Sequence, residues 1–360
     1  MKRYLLYLSF LFLVSFSLLS CVNESDEKPY DGYNWEVSSP ESLGLNSSMI
    51  NSGFDKAAQL GYVYGIVIIR HSKIAAEKYF NGKNYNSNQT IRSVSKSFLS
   101  ALVGIAVDRG LLKLDQKLID FFPEYVSVIK DERIKDITLG QVIKMRAGFK
   151  TDEEIYFSFT GSDNWAKTIL SYDLDFNPGS KMEYSTAGSH LMAVALTKAV
   201  GMSLEDFAKT NLFDPMGIKL KNWLKDPQGY CFGGNDMYFT IRDMAVLGYL
   251  YLNNGKMNDQ QIVTEDWVKK SIVSYSGTST NTWGKLSKYG YGYFWWTGEV
   301  SGQKIFTGLG HGGQYVLCVP ELDMIIATQS FPDSDWEQAD VQERGVLDII
   351  SDYIIPAAVN

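Results

Sequence analysis

Ser93 and Lys96 stand three positions apart at the head of an apolar run that extends through Arg109 and stops at Gly110. Phe98, Leu99, Leu102, Ile105 and Ala106 recur at helical spacing, and Gly110 sits where a left-handed C-terminal cap is expected. The pattern predicts a buried helix with Ser93 at its start. Positions i and i+3 share a helix face, so the Lys96 amine lies one turn above the Ser93 hydroxyl. A serine hydroxyl is a weak nucleophile until a base takes its proton, and lysine can be that base only with a lowered pKa. Burial supplies the lowering, because it disfavours the ammonium form. The pair suits nucleophilic attack on a carbonyl.

The spacing S-x-x-K alone is weak evidence, since it occurs at Ser25, Ser93, Ser127 and Ser301. Context separates the four. Ser25 lies in an acidic stretch, Ser127 runs into Lys130-Asp131-Glu132-Arg133, and Ser301 precedes a predicted strand, whereas Ser93 alone opens a long apolar helix.

A hydrolase of this kind needs a proton shuttle for the leaving group and donors for the oxyanion. Tyr184-Ser185-Thr186 follows the turn Pro178-Gly179 and precedes a helix from Ala187. The Tyr184 phenol can share a proton with Lys96, while a purely structural role would make Tyr184 a half-buried aromatic and Thr186 an N-cap. Gly308-Leu309-Gly310-His311-Gly312-Gly313-Gln314 leads into the strand Tyr315 to Val319. A backbone N–H there can face a developing oxyanion, and the alternative is an ordinary glycine-rich hairpin turn. Tyr156, after the Gly148 turn, is a further pocket candidate with core packing as its alternative. Ser162-Asp163-Asn164 reads as loop, with Asp163 or Asn164 capping the next helix.

The elements that must position these residues follow from periodicity. Ser47 to Leu60 reads as a helix closed by Gly61, and Tyr62 to Arg70 with Lys73 to Phe80 reads as a hairpin. From Lys96 to about Asn254 the signals are mainly helical: Thr138 to Met145, Trp165 to Ser171, Ala187 to Val200, Ser203 to Asn211 and Thr240 to Asn253. Strands return at Tyr291 to Thr297, Gln303 to Thr307, Gln314 to Val319 and Met324 to Ser330, and Asp340 to Tyr353 closes as an amphipathic helix. Strands at both ends with helices between them predict an α+β fold. One antiparallel sheet, flanked by helices as an α/β/α sandwich, is interrupted by an inserted, mainly helical subdomain.

Residues 1–20 read as an export signal: Lys2 and Arg3, an apolar stretch from Leu5 to Leu19, and Leu18-Leu19-Ser20-Cys21. This end resembles a bacterial lipoprotein processing site. Cys21 would then be lipidated, residues 21–35 would form a flexible tether, and the domain at 36–360 would sit outside the cytoplasm on a bacterial membrane. An uncleaved anchor is the alternative, and the apolar stretch is short for a span. Removing residues 1–20 deletes Lys2 and Arg3 and no acid, so the formal charge moves from −7 to −9. An acidic chain without a Lys/Arg cluster argues against nucleic acid as a partner. Cys231 and Cys318 read as two buried thiols rather than a disulfide, and His71, His190 and His311 make no metal motif.

Taken together, Ser93-Val94-Ser95-Lys96, Tyr184-Ser185-Thr186 and His311-Gly312-Gly313 resemble, in order, the three motifs of the serine β-lactamase and penicillin-binding superfamily. The similar branch contains class C β-lactamases, DD-peptidases, family VIII esterases and 6-aminohexanoate-dimer hydrolases. Met145-Arg146-Ala147-Gly148, Thr240-Ile241-Arg242-Asp243-Met244 and Tyr289-Gly290-Tyr291-Gly292 support the likeness, which runs from about residue 36 to the C-terminus. The resemblance implies an acyl-enzyme on Ser93, with the backbone N–H groups of Ser93 and Gln314 as oxyanion hole. Lys96 and Tyr184 would share base and acid duties, His311, Gly312, Gly313, Thr186 and Tyr156 would contact substrate, and neither cofactor nor metal is implied. Two departures bear on substrate. Thr186 replaces the usual Asn, and Gly312 removes a hydroxyl that helps bind the carboxylate of β-lactams and D-alanyl peptides. Small esters or amides are therefore the expected substrates. The other reading is a non-catalytic or DD-peptidase-like protein that binds cell-wall peptides.

Overall fold

Both faces of the central strands are apolar, and this decides the architecture. In the computed structural model, which describes residues 30–358, eight strands form one sheet. They are β1 (Glu36–Val37), β2 (Val63–Arg70), β3 (Lys73–Tyr79), β4 (Ser287–Tyr291), β5 (Trp296–Val300), β6 (Gln303–Gly310), β7 (Gln314–Val319) and β8 (Met324–Ser330). The order is β1-β3-β2-β8-β7-β6-β5-β4, antiparallel except for the short β1–β3 edge pair. Val67, Ile69, Val316, Cys318, Ile325 and Ala327 face one core, while Ile66, Ile68, Leu317, Val319 and Ile326 face the other. A sheet covered on both sides needs two helical layers.

The first layer is α1 (Ser47–Leu60) with the C-terminal helix α6 (Trp336–Ile349). Asn46 caps α1 by accepting from Met49 N–H, and Gly61 ends it at φ +75°. The second layer holds α2 (Val94–Asp108) and α5 (Ile241–Leu252), joined to the inserted helices α3 (Asp152–Thr160) and α4 (Thr186–Val200). Thirteen of the fifteen residues of α2 are buried, so it runs through the interior rather than along the surface. Phe98 stacks on Phe239 at 5.0 Å and meets Phe213 edge-on at 6.0 Å. Each such fully buried side chain contributes about 1.5–3 kcal/mol.

Three expectations change. Tyr291 to Thr297 is not one strand. Gly292 N–H bonds back to the Trp295 carbonyl and Phe294 takes φ +57°, which makes a tight turn between β4 and β5. The final helix starts at Trp336 rather than Asp340, because the Asp335 carboxylate accepts from Gln338 N–H and caps it. The described part of the expected tether, residues 30–35, packs onto the domain. Trp35 is buried and donates to the Arg242 carbonyl, and Tyr30 donates to Asp243 Oδ1 at 2.5 Å. Aromatic side chains hold this segment down, where the lipoprotein resemblance implied a flexible tether. Residues 1–20 and Cys21 lie outside the described residues. Cys231 and Cys318 are free and buried, and among the described residues no helix is long and apolar enough to cross a membrane.

Candidate active site

Ser93 sits at the N-cap of α2, directly after Arg92, which is held at φ +47°. A non-glycine residue there is strained and persists only when its neighbours fix it. Arg92 N–H donates to Thr90 Oγ1, and its guanidinium donates to the Pro332 carbonyl and to Asp333. Ser93 therefore rests on a clamped turn. Lower on the helix, Ser97 Oγ donates to the Phe294 carbonyl at 2.8 Å, tying the β4–β5 turn to α2.

Lys96 is 1 % exposed, and its ammonium donates to Ser93 Oγ (2.9 Å), Thr186 Oγ1 (2.9 Å) and the Gly234 carbonyl (2.8 Å). Burial pushes its pKa down to about 8, against the opposing pull of Asp152 and Asp236. An amine with that pKa is partly neutral near pH 7 and can accept a proton. Gly234 is glycine because of the close approach: a Cβ there would lie 2.5 Å from Thr186 Cγ2 and 3.1 Å from Lys96 Nζ.

Tyr184 is held by a different set of contacts. Glu183 N–H donates to the Met145 carbonyl, and the Arg146 guanidinium grips the Gly179 and Tyr275 carbonyls, so Met145-Arg146-Ala147-Gly148 shapes the approach to α4. The Tyr184 ring stacks on Trp296 at 5.8 Å, and Lys96 Nζ lies 4.8 Å from its centroid. Burial and then the Asp152 charge push the phenol up, while a hydrogen bond with Ser93 pulls it down. The net upward shift keeps Tyr184 protonated where Lys96 titrates, so of the two only Lys96 is partly neutral and able to accept a proton near pH 7.

Thr186 is not the N-cap; Ser185 is. The Thr186 hydroxyl instead accepts from Lys96 and donates to Asp152 Oδ2 at 2.5 Å, and Thr186 N–H donates to Asp152 Oδ1 at 2.6 Å. Asp152 thus does at second hand what a longer amide at position 186 would do directly. Sequence reasoning missed it, because Thr151-Asp152-Glu153-Glu154 reads simply as a capped helix start. Asp152 stabilises the charged lysine. Replacing it with asparagine is expected to move the Lys96 titration down, read as a shift of the pH–rate inflection to lower pH.

Ser93, Tyr184, Thr186, Tyr156 and His311 line a single cleft of about 610 Å³. Tyr156 OH accepts from Asn235 Nδ2 at 3.0 Å, and its ring meets Trp336 edge-on. Asn164 caps its helix by accepting from Lys167 N–H, as expected of a loop residue. Gly312, Gly313 and Gln314 are not in the cleft lining. His311 to Gly313 form the turn between β6 and β7, and a Cβ on Gly312 would meet the Phe331 carbonyl at 2.7 Å. Gly312 also has φ +78°. Gly312→Ala should therefore cost about 1–3 kcal/mol of stability in chemical denaturation. Gln314 is fully buried, its amide bonded to Gln89 and Ser330.

The strand that passes Ser93 is β6. Gly308 lies against Val94 and Ser97, and Leu309 lines the cleft. Because the Gly310 carbonyl accepts from Gly313 N–H inside the hairpin, alternation along the strand turns Leu309 N–H to the opposite side. On that side the pairing with β5 ends at Trp296↔Thr307, so Leu309 N–H has no strand partner in the register. Nothing in the sequence marks Leu309 without the register.

Comparison with known proteins identifies the family and the fold. The family model described as Beta-lactamase matches residues 63–330. The chain is 22 % identical over 304 residues to the 6-aminohexanoate-dimer hydrolase of Paenarthrobacter ureafaciens, covering 78 % of this chain and 76 % of that protein. Among solved structures, it superposes on the octameric penicillin-binding protein homologue from Pyrococcus abyssi with a TM-score of 0.66 at 18 % identity, covering 86 % and 77 % of the two chains. EstCE1, a hydrolase with promiscuous acyltransferase activity, gives 0.68 at 15 % identity over 87 % and 99 %. The strand–helix–strand frame that brings Ser93, Lys96 and Tyr184 together is that of the β-lactamase family, and the chain belongs to that family.

Proposed function

We propose that the protein is a serine hydrolase that cleaves an ester or small amide through an acyl-enzyme on Ser93. The observation that carries this reading is a buried Lys96 with a pKa of about 8, hydrogen-bonded to Ser93 Oγ at the floor of a cleft. Neutral Lys96 takes the Ser93 proton as Oγ bonds to the carbonyl carbon. The developing oxyanion lies between the backbone N–H groups of Ser93 and Leu309, the latter replacing the Gln314 N–H implied by the resemblance. Collapse breaks the bond to the leaving group, which takes a proton from the Lys96 ammonium directly or through the Tyr184 phenol. Lys96 then takes a proton from water as the water oxygen bonds to the acyl carbon, and the Ser93 Oγ–carbon bond breaks with Oγ regaining that proton from the Lys96 ammonium. Asp152 and Thr186 position the lysine. By its leader sequence the protein is exported and held to a membrane through Cys21.

The test is intact mass and turnover with a fluorophosphonate, a nitrophenyl ester, a β-lactam and a D-alanyl-D-alanine peptide. Adduct formation with ester turnover is expected, and rapid turnover of the β-lactam alone would overturn the preference for esters. Absence of any adduct would leave the cleft a binding site.

A further inference from the structure

Gln314 ends the run Gly308 to Gln314 outside the cleft lining, yet every donor and acceptor of its side-chain amide is used inside the protein. Nε2 donates to the His311 carbonyl (3.2 Å) and to the Ser330 carbonyl (3.0 Å), while Oε1 accepts from Ser330 N–H (3.0 Å) and from Gln89 Nε2 (3.1 Å). Ser330 fixes the orientation of the amide, because its N–H must meet the oxygen and its carbonyl the nitrogen. Backbone pairing between β7 and β8 ends at Tyr315↔Thr328. Beyond that point the Gln314 side chain pairs with Ser330 as a neighbouring strand would. Gln89 completes the junction by donating to the Ser330 carbonyl as well, at 3.1 Å.

Two segments that matter for the chemistry leave this junction. Gln89 leads through Thr90 and Arg92 to Ser93, with Arg92 N–H bonded to the Thr90 hydroxyl. His311 follows the end of β6, two residues after Leu309. The segments touch each other: a Cβ on Gly310 would lie 2.6 Å from the Ile91 carbonyl and 3.1 Å from Arg92 Cβ. Ser93 N–H and Leu309 N–H, the two donors assigned to the oxyanion, therefore stand on adjacent stretches of chain that are joined where Gln314 and Gln89 meet. A buried amide with all its hydrogen bonds made holds such a junction rigidly, and a small misplacement of a donor is costly to catalysis.

We propose that Gln314 is a positioning residue: its side-chain amide, through Gln89 and His311, sets the spacing between the Ser93 and Leu309 backbone donors. The proposal rests on the hydrolase reading above and deepens it, since Gln314 then serves the oxyanion through its side chain rather than through its own N–H.

Gln314→Met and Gln89→Leu test it against the wild type, each on a nitrophenyl ester and on its thiono analogue, in which sulfur replaces the carbonyl oxygen. Sulfur is a poor hydrogen-bond acceptor, so the oxygen-to-sulfur ratio of kcat/KM reports how well the oxyanion is held, whatever fraction of the protein is active. The ratio is expected to fall about tenfold in Gln314→Met and about threefold in Gln89→Leu. Equal loss on both esters, with the ratio unchanged, is what a structural role alone would give, and it overturns the proposal. If Gln314→Met fails to fold, Gln89→Leu decides. A second arm needs no catalysis and follows amide hydrogen exchange by mass spectrometry. Peptides covering residues 88–93 and 308–313 are expected to exchange about tenfold faster in Gln314→Met, while α1 keeps its wild-type rate. Unchanged exchange in both segments overturns the proposal. Absence of fluorophosphonate labelling at wild-type Ser93 would count against the hydrolase reading, and the exchange arm would still decide whether Gln314 joins the two segments.

Discussion

Ser93→Ala is expected to eliminate covalent labelling by a fluorophosphonate and to lower ester turnover by about 10⁴-fold or more, leaving the fold intact. Removing Oγ takes away the atom that forms the acyl bond, and no neighbouring group can substitute for it. Lys96 would remain buried with two of its three acceptors, Thr186 Oγ1 and the Gly234 carbonyl. Intact mass after labelling, beside a thermal melt, separates a lost nucleophile from a lost fold. Labelling that survives the substitution would mean that another serine reacts and that the cleft is not the site of chemistry.

The second large effect falls on Lys96. Lys96→Ala is expected to lower kcat/KM by about 10²–10⁴-fold, the usual range for losing a positioned base. In the wild type, kcat/KM should rise with pH and level off above about 8, because the neutral amine is the active form. The sign follows from the cause: burial disfavours the ammonium, so the proton leaves at lower pH than from a free lysine. Asp152, Asp236 and Tyr184 are the groups that face the amine. Glu343 titrates in the same range, so attribution needs a second variant. Asp152→Asn should move the inflection down, whereas Glu343→Gln should leave it in place. A profile flat from pH 6 to 9 would exclude Lys96 as the base.

Local signals carried a good part of this structure. The Ser93–Lys96 pair depends only on helical spacing, and the helix forms where the apolar period and Gly110 place it. Helix α1, the first hairpin and strands β7 and β8 likewise follow from capping, alternation and turn residues. Tyr291 to Thr297 misled because its aromatic run has strand composition, while the turn is imposed from outside. Ser271 and Ser97 bond to it and crowd Gly292 and Phe294 into place. The start of α6 was misplaced because Asp335 lies in a polar stretch where several residues could cap.

The sequence by itself determined the Ser93–Lys96 pair at the head of one helix, the family frame and the order of the three motifs. Each is a short-range pattern, set by spacing along one helix or by a turn and the residues beside it. Only the tertiary structure decided which groups surround them. Thr186 and Gly234 reach Lys96 from 90 and 138 positions away, and Asp152 stands behind Thr186 across another 34. The sheet register leaves Leu309 N–H without a strand partner beside the cleft, since a ladder donor is free only where the neighbouring strand has ended, whereas Gln314 is outside the cleft lining. Trp336, Asp340 and Glu343 line the cleft because α6 folds back from the far end of the chain onto it. Contacts between distant segments leave no periodicity to read, which is why the chemistry was legible and its selectivity was not.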